Sequence, residues 1–212
     1  YEQWKAEGGE ALLEGVAREL VADAVFAAVS GTVTPQGVLA VVRQPEYSME
    51  DMLKGDSVRL LLLENLRDPG NLGTILRTAE GAGMDGVILS RESVDLFNPK
   101  VIRSTMGAIY RVPFYYAPDF YGMLQELACC GVTVFAAHLE GSEEYDAVRF
   151  PKRTALLIGN EANGLTEQAC RLAAGRLRIP MEGSVESLNA AVAAALLMYE
   201  TYRQVRGRSV FL

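Results

Sequence analysis

Three short segments combine residue types that can build a ligand site. The first runs Asn65-Leu66-Arg67-Asp68-Pro69-Gly70-Asn71-Leu72-Gly73 and continues to Arg77. Here Asn71 can cap a helix, Gly70 and Gly73 permit unusual dihedrals and close backbone approach, and Arg77 can grip an anion through two parallel hydrogen bonds. A capped helix with a solvated arginine gives the same pattern. The second is Gly159-Asn160-Glu161-Ala162-Asn163-Gly164-Leu165, in which glycines and asparagines frame a single carboxylate. Such a turn can offer backbone N–H groups to a ligand, although Gly and Asn also dominate ordinary turns. The third, Ile179-Pro180-Met181-Glu182-Gly183-Ser184-Val185-Glu186-Ser187-Leu188-Asn189, leads into an alanine-rich run. Ser187 can cap the helix that follows, and its small side chains allow a close neighbour.

Several chemistries are excluded or disfavoured. The second segment has no Lys-Ser/Thr after its last glycine, so it is not a P-loop, and no G-x-G-x-x-G follows a strand. His138 is the single histidine, and no G-x-S-x-G elbow supplies a nucleophile for it. Cys129, Cys130 and Cys170 lack metal-ligand spacing, so no metal is expected. The adjacent pair reads as buried or idle thiols closing a helix, and a reduced, cytoplasmic setting fits. No apolar run is long enough for a bilayer, and the polar start lacks a signal-peptide pattern. The net charge of −7 argues mildly against an RNA partner, since phosphate contacts need Lys and Arg. A local basic patch is nevertheless compatible with an acidic sum. Tyr110, Tyr115 and Tyr116 can stack on bases or, alternating around a strand, form core and rim.

The elements that must position these segments follow from hydrophobic periodicity. Apolar residues at helical spacing predict one or two helices over 9–30, and GVLAVVR at 37–43 predicts a buried strand. The polar stretch 46–56 reads as a linker, with at most a helical turn. From 57 onward, strands are predicted at 58–63, 86–90, 112–115, 132–137, 154–158 and 176–179. A turn at Asp68-Pro69-Gly70 is followed by a predicted helix to about 82, and further helices are predicted at 99–106, 119–129, 167–173 and 188–205. Six strands alternating with helices imply an α/β fold with a mostly parallel sheet covered on both faces. Ligands in such folds sit beyond the carboxyl ends of the strands. All three segments lie there.

Taken in this order, ENLRDPGNLGTILRTAEGAGMDGVIL, LLIGNEANGL and IPMEGSVESLNAAVAAALLMYE resemble the three signature motifs of the SpoU/TrmH family of the SPOUT class of RNA methyltransferases. The resemblance covers about residues 57–206. It implies a sheet whose C-terminal part is tied in a deep trefoil knot, otherwise nearly absent from proteins. It also implies a homodimer through the knot region and last helix, and S-adenosylmethionine bound in the knot by Leu139, Gly141, Gly159, Asn160, Ile179, Met181, Leu188 and Asn189. The family's functional polar residues map onto Asn71, Arg77, Glu161, Ser187 and Asn189, and Arg103 resembles a substrate-side arginine. One departure is Ala162, where the motif usually has glycine; if that position needs positive φ, alanine strains the loop. The front of the chain, ADAVFAAVSGTVTPQGVLAVV, resembles the last half of a ribosomal-protein-like α/β RNA-binding domain. Its first half would take about 40 further residues. The division expected is a partial RNA-binding domain over 1–45, a linker over 46–56 and a catalytic domain over 57–212.

The implied reaction is an in-line methyl transfer to a ribose 2′-hydroxyl, dominated by orientation, with ribosomal RNA favoured over transfer RNA. The family proposal makes the arginine a general base. A guanidinium beside phosphate stays charged, so phosphate gripping suits Arg77 better. Glu161 can accept a proton if desolvation raises its pKa, or it can order its loop by accepting N–H bonds. The competing readings are a non-catalytic RNA-binding protein that keeps the fold, and a dinucleotide-dependent oxidoreductase, which lacks its glycine fingerprint here.

Overall fold

An apolar run becomes a strand only when neighbours satisfy its backbone hydrogen bonds, and the two parts of this chain differ in that respect. The computed structural model describes residues 5–35, 37–140 and 143–209. It divides into two units, Tyr1–Gln44 and Pro45–Leu212. In the first unit a 3₁₀ turn, Gly9–Leu13, is followed by helix α1 (Asp23–Ser30), which ends on left-handed Gly31 at φ 59°. The helical pattern expected over 9–30 is interrupted between these two, and α1 buries none of its residues. Residues 37–43, expected as a buried strand, form none; Val41 is 94% exposed. No strand is present among the described residues of this unit, so the run has no ladder to join and its apolar pattern misleads.

The second unit opens with α2 (Met49–Met52), capped by Ser48, whose side chain accepts from the Asp51 N–H. The stretch read as a linker thus carries a helical turn and two buried methionines. In chain order come β1 (Val58–Leu63), α3 (Pro69–Ala82), β2 (Gly86–Ser90), α4 (Pro99–Ser104), β3 (Phe114–Ala117), α5 (Phe120–Cys129), β4 (Thr133–Ala137), β5 (Glu143–Glu144), β6 (Arg153–Ile158), α6 (Glu167–Leu172), β7 (Gly175–Arg178) and α7 (Ala190–Ser209). The seven strands pair only in parallel, in the order β3-β2-β1-β6-β4-β7-β5. Strand β5 is the addition to the expected six. Strand β3 starts two residues later than expected, just past Pro113, which has no N–H to donate.

Alternation along β1 divides the core. Leu61 and Leu63 join Val87, Leu89, Leu156 and Ile158 beneath α3 and α7, while Val58, Leu60 and Leu62 join Ile88, Ala155 and Leu157 beneath α5 and α6. Both faces of the sheet are therefore covered, as an all-parallel sheet requires. The three cysteines are free; of the two readings for Cys129 and Cys130, burial does not hold, since both are exposed, and Cys170 is buried. Among the described residues no helix is long and apolar enough to cross a membrane, and no group of side chains could hold a metal ion.

The chain travels outward from β1 to β2 and β3, then crosses to the opposite side of β1 for β4. Strand β6 later enters between β1 and β4, and β7 between β4 and β5. The loops leaving β1, β6, β4 and β7 consequently lie side by side along one edge of the sheet, the position where parallel α/β folds take ligands.

Candidate active site

A cleft of about 430 Å³ opens at this edge, within the size range of small-ligand sites, roughly 300–1,000 Å³. Its walls are the end of β4 with His138, Leu139 and Glu140, the whole loop Gly159–Leu165, and residues Ile179, Met181, Ser187 and Leu188 after β7. Ala190 and Ala193 of α7 close it. Among the described residues the lining carries two carboxylates, Glu140 and Glu161, and no lysine or arginine. A cationic, partly apolar ligand suits such walls, whereas a nucleotide phosphate would find no cation. The residues therefore fit S-adenosylmethionine, whose sulfonium is positive and whose adenine needs apolar walls.

The loop after β6 is held by its own backbone. Asn160 and Gly164 exchange hydrogen bonds of 3.0 and 2.9 Å, and Gly164 is left-handed at φ 66°. A Cβ on Gly159 would lie 2.2 Å from the Gly164 carbonyl carbon, so only glycine fits there. The Asn160 side-chain oxygen accepts from the N–H groups of Ala162 and Asn163, and its amide donates to the Asn65 carbonyl at 2.7 Å. Ala162 is not among the residues with positive φ, so the strain considered for this position does not arise.

Two glutamates tie the loops after β1 and β6 in opposite directions. Glu161 accepts from the N–H groups of Arg67 and Asp68 at 3.1 and 3.0 Å and from the Asn71 amide at 3.0 Å. Desolvation alone would push its pKa up, but the Asn71 amide and the backbone N–H groups outweigh it and hold the carboxyl below the usual range. That makes it a poor proton acceptor and a good clasp. Glu64, buried at the end of β1, accepts from the Thr166 N–H and hydroxyl at 2.8 and 2.7 Å and from the Tyr121 hydroxyl at 2.9 Å. The third segment joins through Asn189, whose amide donates to the Asn71 side-chain oxygen at 2.9 Å.

Of the residues singled out in the sequence, Leu139, Gly159, Asn160, Glu161, Ile179, Met181, Ser187 and Leu188 line the cleft. Asn71 and Asn189 lie behind it, in the network that holds its loops. Arg77 and Arg103 are exposed on α3 and α4 and are not part of the lining. Gly141 lies outside the described residues. Two cap assignments change. Asp68, not Asn71, caps α3, accepting from the Asn71 N–H, because Pro69 takes the first helical position. Asn189, not Ser187, accepts from the Ala191 N–H at the start of α7. Gly70 and Gly73 lie inside α3. A Cβ on Gly73 would lie 1.7 Å from Ser104 Oγ, so this glycine serves contact with α4.

Two residues carry roles that their sequence positions did not assign: Asn65, the first residue of the first segment, and Glu64 before it. Asn65 is left-handed at φ 56°, accepts at its side-chain oxygen from Ser90 Oγ, and donates its N–H to the same hydroxyl. An asparagine directly after a buried strand was the available signal, since Asn tolerates that conformation better than most residues. Glu64 had no such signal, because an acid at a strand end reads as solvated.

Fold and cleft define a class: an α/β transferase that holds a small cationic donor at the carboxyl edge of a parallel sheet. The model of the SpoU rRNA Methylase family matches residues 59–199. The 23S rRNA (guanosine(2553)-2'-O)-methyltransferase RlmP of Bacillus subtilis is 35% identical over 185 residues, 87% of this chain and 72% of that protein. The AdoMet-bound rRNA methyltransferase from Sinorhizobium meliloti superposes with a TM-score of 0.85 at 33% identity, covering 97% of this chain and 78% of that one. The SpoU methyltransferase AviRb from Streptomyces viridochromogenes in complex with AdoMet gives 0.82 at 28% identity, covering 91% and 76%. The chain belongs to the SpoU rRNA methylase family.

Proposed function

We propose that this chain moves the methyl group of S-adenosylmethionine onto a ribose 2′-hydroxyl of ribosomal RNA. As a SpoU family member it is an S-adenosylmethionine-dependent RNA 2′-O-methyltransferase; ribosomal RNA is the substrate named for the relatives above. The observation that carries the reading is the cleft itself, with two carboxylates, apolar walls and no cation among the described residues. When bound, the cofactor supplies an electrophilic methyl group. The chain holds it with Leu139, Gly159, Asn160, Ile179, Met181 and Leu188, and Asn189 braces the cleft from behind.

The remaining residues orient the acceptor. Arg77 grips a phosphate of the RNA and so holds the ribose, with Arg103 as a second contact. Glu161 and Asn71 fix the loop that presents Asp68 and α3, and Ser187, exposed at the rim, is placed to receive a hydrogen bond from the ribose. In this reading the part of the sheet from β4 to α7 is tied in a trefoil knot, which the late entry of β6 and β7 between earlier strands supports. Two copies pair through α7, whose exposed Val192, Leu196 and Tyr199 follow helical spacing on one face. The front unit contributes RNA contacts, and the enzyme works in the cytoplasm.

The test is a single-turnover assay with labelled S-adenosylmethionine and unmodified 23S rRNA transcript, with transfer-RNA transcripts beside it. Arg77→Ala is expected to abolish transfer while S-adenosylhomocysteine still binds. Full activity of that variant would remove Arg77 from the mechanism, and labelling of transfer RNA alone would move the substrate class.

A further inference from the structure

Several arginines of the second unit are engaged within it. Arg111 pairs with Glu80, Arg176 with Glu167, Arg178 with Glu144 and Arg203 with Glu200, while Arg59 and Arg153 donate to backbone carbonyls. Arg67 and Arg91, like Arg77 and Arg103, are not so engaged, and these two stand on the loops after β1 and β2 beside the cleft. Both are exposed, and neither side chain has a hydrogen-bond or ion-pair partner among the described residues.

Their loops are fused to each other and to the cleft. The Val94 N–H donates to the Leu66 carbonyl at 2.8 Å, and Ser90 Oγ joins Asn65 at both its N–H and its side-chain oxygen. The N–H of Arg67 itself lies 3.1 Å from Glu161. The loops after β2, β1 and β6 therefore form one ridge, with Arg91 at its outer end, Arg67 in the middle and the cofactor cleft at its inner end.

The acidic neighbours of this ridge keep their charge, but their oxygens are turned to other donors than these two guanidinium groups. Glu64, Asp68, Asp95 and Glu161 are each occupied by N–H or hydroxyl donors within the ridge. In a chain of net charge −7, two unpaired guanidinium groups on a ridge leading to the cleft mark where a polyanion approaches.

We infer that Arg67 and Arg91 bind successive backbone phosphates of the substrate RNA beside the methylated nucleotide, positioning the strand along the ridge from β2 toward the cleft. The inference rests on the RNA methyltransferase reading above. Phosphate contacts position without reading sequence, so the pair sets affinity and register rather than base choice. Binding of a fluorescent, structured 23S rRNA transcript, measured over a series of salt concentrations, tests it.

Each phosphate contact contributes roughly 0.7–0.9 to the slope of log K against log salt. The double variant Arg67→Ala/Arg91→Ala is expected to lower that slope by about 1.4–1.8 and to weaken binding about tenfold at moderate salt, raising KM far more than it lowers kcat. The double lysine variant is expected to restore most of the slope, which a merely structural role would not do. An unchanged slope and KM in the alanine variant, with wild type active, would overturn the inference alone. A wild-type protein that binds S-adenosylhomocysteine but no RNA would overturn the RNA reading along with it.

Discussion

Glu161 acts through the donors it gathers: two backbone N–H groups and the Asn71 amide, all from the loop after β1 or the start of α3. Glu161→Gln keeps the shape but loses the charge that strengthens three bonds. S-adenosylhomocysteine binding is expected to weaken about tenfold, about 1.4 kcal/mol, by calorimetry, with the fold retained. The sign of the pH effect follows from the lowered pKa. The clasp is fully formed above the usual glutamate value of about 4.5 and is lost as pH falls through the lower folded value. Acid should therefore release the cofactor before the molecule unfolds, and cofactor affinity followed from pH 6 down to 3 checks it. Gly159→Ala is a harsher test, because its Cβ would meet backbone at 2.2 Å and backbone cannot step aside. Loss of cofactor binding is expected, and unchanged affinity would show that the turn can open.

At the scale of elements, α3 and α4 approach through Gly73. Gly73→Ala drives a Cβ into Ser104, with the Val101 carbonyl at 3.0 Å behind it; overpacking of this kind costs about 1–3 kcal/mol, readable as a lowered chemical-denaturation midpoint. Strand β3 pins the loop before α4 through Tyr116, whose hydroxyl donates to the Val94 carbonyl and accepts from the Leu96 N–H. Burial pushes its pKa up to about 12 from about 10. This contribution is present below pH 10 and lost as pH rises toward 12, since the unfolded chain gives up the proton first. Tyr116→Phe should flatten the stability curve over that interval.

The same elements show what was legible in the sequence. Strands β1, β2 and β6 were plain because continuous apolar runs bounded by turns can only be buried. The run 37–43 had the same pattern but no partner strands, and periodicity does not report partners. Strand β5, two exposed glutamates, carries no pattern and exists only because β7 is beside it. At the site, Gly159 and Asn160 stood out because a tight turn demands their residue types. The caps shifted because Pro69 and Asn189 compete locally with Asn71 and Ser187, and cross-loop ties such as Glu64 to Thr166 join residues too far apart in sequence for any local rule.

For the whole molecule, two surfaces of the second unit await a test, one proposed for RNA and one proposed for a second copy of the chain. Arg77 is exposed on α3, away from the cleft lining, and α7 leaves Val192, Leu196 and Tyr199 uncovered. Val192→Asp/Leu196→Asp should convert a two-chain species into one chain in sedimentation, with transfer activity falling at least tenfold because a charge facing an apolar partner is costly. A wild-type protein that sediments as one chain would remove the dimer. Nucleoside mass spectrometry reads methyl transfer to ribose at this cleft without an intermediate step. Unmodified 23S rRNA transcript incubated with isotopically labelled S-adenosylmethionine and the enzyme is digested, and the labelled nucleoside is identified. The expected product is one 2′-O-methylated nucleoside, absent with Arg77→Ala and with Gly159→Ala. Label on a base, or no label in any RNA despite bound S-adenosylmethionine, would contradict the account.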